Sequence, residues 1–502
     1  MIASVAKHPY IYAGSACFLV WIVTGGSIRL LADYGIPSGL AFGIYLASLA
    51  ALAAVFAVYL VRKKLTDTIT TAVIMTGGAL VRLWYVLMAL PNGSFQHDFG
   101  YFDYNLEYAV HENYFFYLIY NHALPDFDFR GTGQYYHPPL HYVISAIAVK
   151  INSAFFPSRA DNYEFLMCIS LFYSLAVLIL IYKLLKLFEI KGRALHFALL
   201  LAAFYPSMII SAVQINNDPL ASLLFIAGFY FAVRWYKERK TSQIIITAVC
   251  IGCAMMTKIS AGLIAVPVGF IFLAALIRSG FKGKKIWSQF GIFALIVFPL
   301  GLWFPVRNYI KWGIPPTYVF DLGIVPDQDL SGYSVLQRLF GISEVSLSIP
   351  FTVFGEEYKD FNIFMILYKT SLFDDHDLHD RMVPLALATF MFLIGALLMI
   401  MLIAGLVKMI MKCRGSIEKI SVILLLVTEF VSSIIFAFKY PLICSVNFRY
   451  IFPVVIAGAL SMGMFFEGKD IGSKISLKHI AGGILGCFCL VSVIYYSIAF
   501  LP

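Results

Sequence analysis

Residues 382–407, MVPLALATFMFLIGALLMIMLIAGLV, form an apolar run of 26 residues without one charged side chain. A helix of about twenty such residues crosses the hydrocarbon core of a bilayer. Similar runs recur along all 502 residues, which are 61% hydrophobic and only 13% charged, whereas soluble proteins are about 25% charged. The sequence therefore predicts an all-α polytopic membrane protein and excludes a soluble globular one.

Thirteen segments are predicted to span the membrane. They lie near residues 10–31, 39–61, 70–90, 164–187, 195–213, 219–236, 241–257, 260–278, 286–304, 382–407, 419–438, 450–466 and 480–500. No small-residue cleavage site follows the first segment, so we expect it to be a retained helix and not a signal peptide.

The distribution of charge predicts the orientation in the membrane. If the N-terminus is cytoplasmic, the inner segments hold 23 of the 37 lysines and arginines but only six of the 28 carboxylates, as the positive-inside rule requires. The net charge of +9 then reflects topology and does not indicate nucleic-acid binding. This orientation predicts two long outer segments, 91–163 and 305–381, and keeps the short apolar piece Leu140–Ile151 along the outer interface. We expect a multi-pass protein of the plasma membrane.

The loop at residues 91–142 is unusually long and polar for a connection between spans. It contains five of the ten histidines and six carboxylates. Long connections in compact proteins are usually functional, so we expect this loop to contribute to an active site. The loop also carries aromatic side chains suited to packing against sugar rings, namely Tyr101, Phe102, Tyr104, Tyr135, Tyr136 and Tyr142.

Several polar residues occur at the predicted outer ends of spans, where ionisable groups are costly and indicate function. They are Arg82, the run Asn216–Asp218, Lys258 and Arg449. Each has a structural alternative: Lys258 and Arg449 as interfacial anchors, Arg82 as the partner of a carboxylate, and Asp218 as a helix cap before Pro219. Glu429 lies inside a span and is assigned no role.

These residue types together suit sugar transfer from a polyprenyl-phosphate donor. Ammonium and guanidinium groups make charge-assisted hydrogen bonds to phosphate oxygens. A carboxylate is suited to remove the proton from an acceptor hydroxyl. Direct attack of that oxygen on the anomeric carbon would release the phosphate and invert the anomeric centre.

The chain resembles the GT-C superfamily of integral-membrane glycosyltransferases, in particular the branch of protein O-mannosyltransferases and lipid A aminoarabinose transferases. The resemblance runs from about Val81 to Asn308, with a further piece near 447–453. Its carriers are Arg82, Asp98 in QHDFGYF, GQYYHPPLHY, NNDP, the MTK of Lys258, VRNYIKWGIP and FRYIFP. It implies a GT-C-like fold with a catalytic membrane module at 70–310, preceded by two extra helices in 1–69. The outer loop 311–381 and the C-terminal helices of 382–502 would follow.

The resemblance also implies roles for individual residues. Asp98 becomes the general base, and the donor phosphate is held by Lys258, Arg449, Arg307 and His137. The remaining residues expected to bind substrate are His97, Tyr101, Asp103, Tyr136, Tyr142, Asn217, Asp218 and Arg82.

The sequence departs from the family pattern in three respects. Two extra spans precede the usual first helix, and no large soluble domain follows the last. The usual acidic pair is replaced by His97-Asp98-Phe99. Since the neighbouring glutamate is absent, Asp103 is the reserve candidate for the base.

Three further points stay open at this level. The motif SLFDDHDLHD, residues 371–380, is either a divalent-cation site or a solvated acidic loop, although the expected chemistry requires no cofactor. A polysaccharide polymerase or ligase with a lipid-diphosphate donor, or a secondary transporter, are the alternative functions; transporters usually show internal repeats, and we find none. The sugar is undetermined, and the acceptor is a protein, a lipid or a glycan.

Overall fold

The computed structural model describes residues 38–89, 111–155, 166–321, 323, 325–375, 378, 380–468 and 477–499. Within these ranges the regular structure is helical and contains no named strand. The α-helices are α1 (Ser38–Val61), α2 (Asp67–Ala89), α3 (His111–Asn121), α4 (Leu140–Phe155), α5 (Met167–Leu187), α6 (Gly192–Phe204), α7 (Pro206–Ile210), α8 (Asp218–Glu238), α9 (Thr241–Met255), α10 (Ala265–Arg278), α11 (Lys284–Trp312), α12 (Val335–Phe340), α13 (Glu344–Ser348), α14 (Ile363–Phe373), α15 (Met382–Met411), α16 (Ile417–Lys439), α17 (Val455–Phe466) and α18 (Leu477–Ile498). Short 3-10 helices cover Gly133–Tyr136, Ile259–Ile264, Ile443–Ser445 and Phe448–Val454.

The predicted spans agree with the helices of the described ranges. Ten helical segments are long and apolar enough to cross a membrane, and each coincides with a predicted span. The predicted spans at 195–213 and 241–257 appear as shorter apolar helices, Gly192–Phe204 and Thr241–Met255. The predicted span at 10–31 lies outside the described residues. The prediction of an all-α polytopic membrane protein is confirmed.

Arg82 fastens α2 to the end of α6. Its guanidinium donates hydrogen bonds to the carbonyl oxygens of Ala203 (2.7 Å) and Ala202 (3.4 Å). These carbonyls belong to the last turn of α6, where the helix offers them no N–H partner. The side chain has no exposed surface, and it also donates to Ser174 Oγ at 3.0 Å and to the Gly78 carbonyl at 2.8 Å. Arg82 therefore completes the hydrogen bonding of a buried helix end.

The first predicted outer segment is organised around its aromatic residues. The rings of Tyr114 and Tyr142 stack at 4.1 Å between centroids, and Tyr114 also lies 5.1 Å from Tyr135. Helix α4 begins directly after Pro138-Pro139, as the proline pair predicts. Its first N–H, that of Leu140, donates to the Met256 carbonyl at 3.0 Å. This bond fixes the start of α4 to the break between α9 and the next helix.

The second long segment contains a fully buried ion pair. The Lys369 ammonium on α14 lies 2.8 Å from Asp360 Oδ2, and both side chains are at most 1% exposed. The Ser346 hydroxyl (2.6 Å) and the Val353 N–H (2.9 Å) also donate to the Asp360 carboxylate. A second attachment is made by Arg338, whose guanidinium donates to the Ala437 carbonyl at the end of α16 at 2.9 Å. The segment is therefore packed against the helices through internal polar contacts.

Candidate active site

A cavity of about 760 Å³ lies where the two long segments meet the ends of several helices. Its wall is formed by the start of α8, the break after α9, the end of α11, one face of α16 and the residues that follow α16. Nine predicted site residues fall within the described ranges. Six of them line this cavity: Tyr136, His137, Asn217, Asp218, Lys258 and Arg449.

Two cationic side chains converge on one carboxylate in this wall. The Lys258 ammonium forms an ion pair with Asp218 Oδ1, and Arg449 Nε lies 3.7 Å from Asp218 Oδ2. Both cations also lie over the Tyr450 ring, with Lys258 Nζ at 4.7 Å and Arg449 Cζ at 4.9 Å from its centroid. A cation over an aromatic face is attracted by the negative potential of the ring. The three charged side chains and the ring form one cluster, which we call the cation cluster.

Local breaks in the helices place the cation cluster. Asp218 begins α8, with Pro219 behind it in the first turn, and its N–H donates to the Asn216 side chain at 2.9 Å. Lys258 has an extended backbone between α9 and Ile259–Ile264. The Asn217 amide donates to the Thr257 carbonyl at 3.1 Å and so joins the two breaks. The N-cap of α8 is Asn217, and Asp218 is the first residue of the helix. The Asp218 carboxylate forms an ion pair with Lys258.

Arg449 is positioned by Asn447. The Asn447 side-chain oxygen accepts the Arg449 N–H at 2.9 Å, and its amide donates to Asp374 Oδ1 at 2.7 Å. Gln214 donates to the other oxygen of Asp374 at 3.3 Å. Asp374 is 2% exposed, so this first aspartate of SLFDDHDLHD is buried and hydrogen-bonded and does not belong to a solvated loop.

A metal at SLFDDHDLHD stays an open prediction. His376, Asp377 and His379 lie outside the described residues. Among the residues that are described, no group of three or more His, Cys, Asp or Glu side chains is arranged to hold an ion.

His137 and His111 form a stacked pair at the cavity wall. Their ring centroids are 5.7 Å apart, and Tyr136 lies 4.0 Å from His137. His111 Nδ1 is hydrogen-bonded to the Tyr142 hydroxyl at 2.7 Å. Tyr142 itself has no exposed surface. The structure therefore places Tyr142 behind the wall, where it supports His111, a cavity residue that the sequence did not single out.

Arg307 and Arg82 are not brought into the cation cluster. Arg307 donates to Asp126 Oδ1 at 2.7 Å and to the Pro125 carbonyl at 2.9 Å. Lys311 binds the same Asp126 oxygen at 2.6 Å, and the two cations hold the pKa of Asp126 below its usual range, Lys311 more strongly. Arg307 thus attaches the first long segment to α11, and a contact with phosphate stays a prediction. Substrate binding by Arg82 also stays a prediction, because its guanidinium is hydrogen-bonded to the carbonyl groups at the buried end of α6.

The predicted base cannot be placed in this cavity from the described residues. Asp98, its reserve Asp103, and the predicted substrate contacts His97 and Tyr101 all lie outside them. Their roles remain predictions from the sequence.

Glu429, to which the sequence analysis assigns no role, lines the cavity. It lies on α16 and is 3% exposed. The signal that could have found it is the spacing of Glu429, Ser432 and Ser433, which puts three polar side chains on one face of an apolar helix.

A family model described as dolichyl-phosphate-mannose-protein mannosyltransferase matches residues 136–303. The matched region begins at Tyr136 and includes His137, Asp218 and Lys258. A comparison with curated protein sequences gave no match.

Among solved structures, three similar chains come from the oligosaccharyltransferase of Archaeoglobus fulgidus. The first is a complex with Zn and sulfate, with 12% identity, a TM-score of 0.46, and coverage of 84% of this chain and 53% of the other. The second, AglB with an inhibitory peptide and a dolichol-phosphate, has 13% identity, a TM-score of 0.47, and coverage of 86% and 56%. The apo form has 14% identity, a TM-score of 0.45, and the same coverage. The chain spans about half the length of these structures.

The family match begins inside GQYYHPPLHY and includes NNDP and the MTK of Lys258, which are three of the motifs on which the sequence resemblance rests. It confirms that resemblance independently of the solved structures. The described part of the chain is all-helical and polytopic, and residues 136–303 are similar to the dolichyl-phosphate-mannose-protein mannosyltransferases.

Proposed function

We propose that this protein is a glycosyltransferase that moves a hexose or pentose from a polyprenyl-phosphate donor to an acceptor hydroxyl. The observation that carries the proposal is the cation cluster, in which Lys258 and Arg449 meet at Asp218 in the wall of a large cavity. The family match over residues 136–303 supports the same class of donor, since its description contains a dolichyl-phosphate mannose.

The cation cluster suits the phosphate of such a donor. The Lys258 and Arg449 side chains are 17% and 13% exposed, so little water screens them. Charge-assisted hydrogen bonds to phosphate oxygens are strong in this setting. Negative charge grows on the bridging oxygen while the bond to the anomeric carbon breaks. Cations at that position therefore stabilise the transition state more than the ground state.

The reaction would be a single displacement. Asp98 takes the proton of the acceptor hydroxyl, and the hydroxyl oxygen forms a bond to the anomeric carbon. The bond between that carbon and the phosphate oxygen breaks, and polyprenyl phosphate leaves with the electron pair. The anomeric configuration is inverted. His137 and Asn217 at the wall are suited to hydrogen-bond the donor, and no metal is required for these steps.

The proposed site faces the outside of the plasma membrane, with the N-terminus in the cytoplasm. This orientation is supported by the excess of lysine and arginine in the segments at the opposite helix ends. Whether the acceptor is a protein, a lipid or a glycan is left open by the residues of the wall.

The test is sugar release or transfer by purified protein given a panel of polyprenyl-phosphate sugars. We expect Lys258→Gln and Arg449→Gln to lower turnover at least about tenfold, and Asp98→Asn to lower it about 100-fold or more while the donor still binds. Lys412→Gln, at the far end of α15 and half exposed, is the matched control and should keep wild-type turnover.

Two outcomes would contradict the proposal. Wild-type turnover in Asp98→Asn would remove the base assignment. Activity with a lipid-diphosphate sugar and none with any monophosphate donor would favour the polymerase or ligase alternative.

A further inference from the structure

The cavity extends along one face of α16 for several helical turns. Lys439, the last residue of α16, and Glu429 both line it. Ten residues of helix separate them, which corresponds to about 15 Å along the helix axis. The cavity is thus deeper than a binding site for a phosphate alone requires.

The cavity face of α16 is polar in its deeper half. Glu429, Ser432 and Ser433 line the cavity at positions i, i+3 and i+4 of one helix face. The opposite face is formed by Val427, Val431 and Ile435, which are 51%, 48% and 63% exposed on the outside of the helix bundle. We call the three cavity residues the α16 polar patch.

Glu429 is the member of this patch whose burial requires an explanation. Its side chain is 3% exposed, and among the described residues it has no hydrogen-bond or ion-pair partner. Glu429 and Lys258 line the same cavity. A buried carboxyl group without a partner is costly, and an ionisable group inside a span indicates function. A ligand with hydrogen-bond donors would remove that cost.

We propose that Glu429 recognises the sugar of the donor, accepting hydrogen bonds from neighbouring sugar hydroxyls while Lys258 and Arg449 bind the phosphate. Ser432 and Ser433 supply hydroxyl groups that both donate and accept, which suits further sugar hydroxyls. The polyprenyl tail is excluded as the occupant of the α16 polar patch, because a hydrocarbon has no donor to offer. This inference rests on the proposed function and assigns sugar specificity to α16.

The test compares two ligands that differ only in the sugar. Binding of a polyprenyl-phosphate sugar and of unglycosylated polyprenyl phosphate is measured for the wild type, Glu429→Gln and Glu418→Gln. The hexose or pentose that binds the wild type most tightly serves as the sugar ligand. Glu418 is the matched control, because it is also a glutamate of α16 but lies in the first turn of the helix, where it pairs with Lys237 at 3.8 Å.

We expect Glu429→Gln to weaken binding of the sugar donor about tenfold, the effect of losing one well-placed hydrogen bond. Binding of unglycosylated polyprenyl phosphate should stay within about twofold of the wild type, and Glu418→Gln should change neither. Equal weakening of both ligands by Glu429→Gln, or no weakening of the sugar donor, would overturn the proposal.

A second variant and the wild-type affinities also test the role of Glu429. If Glu429→Gln does not fold, the double variant Ser432→Ala, Ser433→Ala replaces it, and a loss confined to the sugar donor is again required. The wild type could bind the sugar donor more tightly than polyprenyl phosphate and yet transfer no sugar. The proposed function would then fail, but the comparison of the two ligands would still decide whether Glu429 recognises the sugar. Equal wild-type affinity for the two ligands overturns the inference on its own.

Discussion

The Lys258 ammonium is paired with the carboxylate of Asp218, which lies 40 residues earlier in the sequence, and the pair forms part of the cavity wall. The same carboxylate faces Arg449 from its second oxygen. Asp218 therefore occupies the two cations that we propose for the donor phosphate. A phosphate that binds there competes with Asp218 for the same positive charge.

This competition gives a first prediction. In Asp218→Asn the two cations lose their negative partner, so the free protein should melt at a lower temperature and polyprenyl phosphate should raise its melting temperature more than that of the wild type. Thermal unfolding with and without polyprenyl phosphate measures both effects. Asp126→Asn, at an exposed carboxylate between Arg307 and Lys311, is the control. An unchanged ligand-induced shift in Asp218→Asn would show that phosphate does not bind at the cation cluster.

A second prediction concerns Arg82. Replacing it by methionine leaves the last carbonyls of α6 without partners in a buried place, and we expect a loss of about 3 kcal/mol of unfolding free energy. Arg82→Lys should not restore the loss, because one ammonium cannot reach the Ser174 hydroxyl and the carbonyls of both α2 and α6. Donor affinity of the folded fraction should be unchanged. A variant of normal stability with weakened donor binding would instead support the substrate role predicted from the sequence.

A comparison of Arg82 with Lys258 shows which features of the structure can be predicted from the sequence and which cannot. Apolar runs determine the helices directly, since a bilayer requires about twenty apolar residues for each span, and ten predicted spans appear as long helices. Whether a polar residue at a helix end faces a cavity or a neighbouring helix depends on packing. In the sequence, Arg82 and Lys258 are both cations at predicted outer ends of spans. In the structure, Arg82 binds the end of α6, whereas Lys258 lines the cavity.

The extent of the cavity along α16 is a second feature that the sequence does not predict. In the sequence, Glu429 is equally compatible with a neutral or hydrogen-bonded core acid inside a span, and it is therefore assigned no role. The cavity reaches Glu429 along the face of α16 that also carries Ser432 and Ser433. Helical spacing could have revealed that face, but the existence of a deep cavity follows only from how the helices are arranged.

A third prediction concerns the buried pair of Lys369 and Asp360. Lys369→Met removes the cation and leaves the buried Asp360 carboxylate with the Ser346 and Val353 donors among the described residues. Removing one partner of a buried ion pair typically costs about 3–5 kcal/mol. The double variant with Asp360→Asn should recover part of this loss, because no charge is then left buried. Denaturant unfolding of both single variants and the double variant measures the coupling, and simple additivity would contradict the expectation.

The last prediction concerns pH and His141, which lies in the first turn of α4 and is 5% exposed. Its Nε2 is hydrogen-bonded to the Ile215 carbonyl at 2.8 Å, so that nitrogen carries the hydrogen. Among the described residues no partner faces Nδ1, where a second proton would be placed. Burial, assisted by the nearby His111, lowers the pKa of His141 to about 3.

The unfolded chain would take up a proton on His141 near pH 6.5, whereas the folded protein would not do so until about pH 3. The contribution of the neutral His141 to the unfolding free energy is therefore fully present above pH 6.5. It is lost as the pH falls from there toward 3, and the loss is about 2 kcal/mol at pH 5. His141→Gln keeps a donor for the Ile215 carbonyl and does not titrate, so the difference in unfolding free energy between pH 7.5 and pH 5 should shrink by about 2 kcal/mol. His479→Gln, at an exposed histidine in the first turn of α18, should leave that difference as it is in the wild type. Equal acid sensitivity of the wild type and His141→Gln would mean that another group controls the loss.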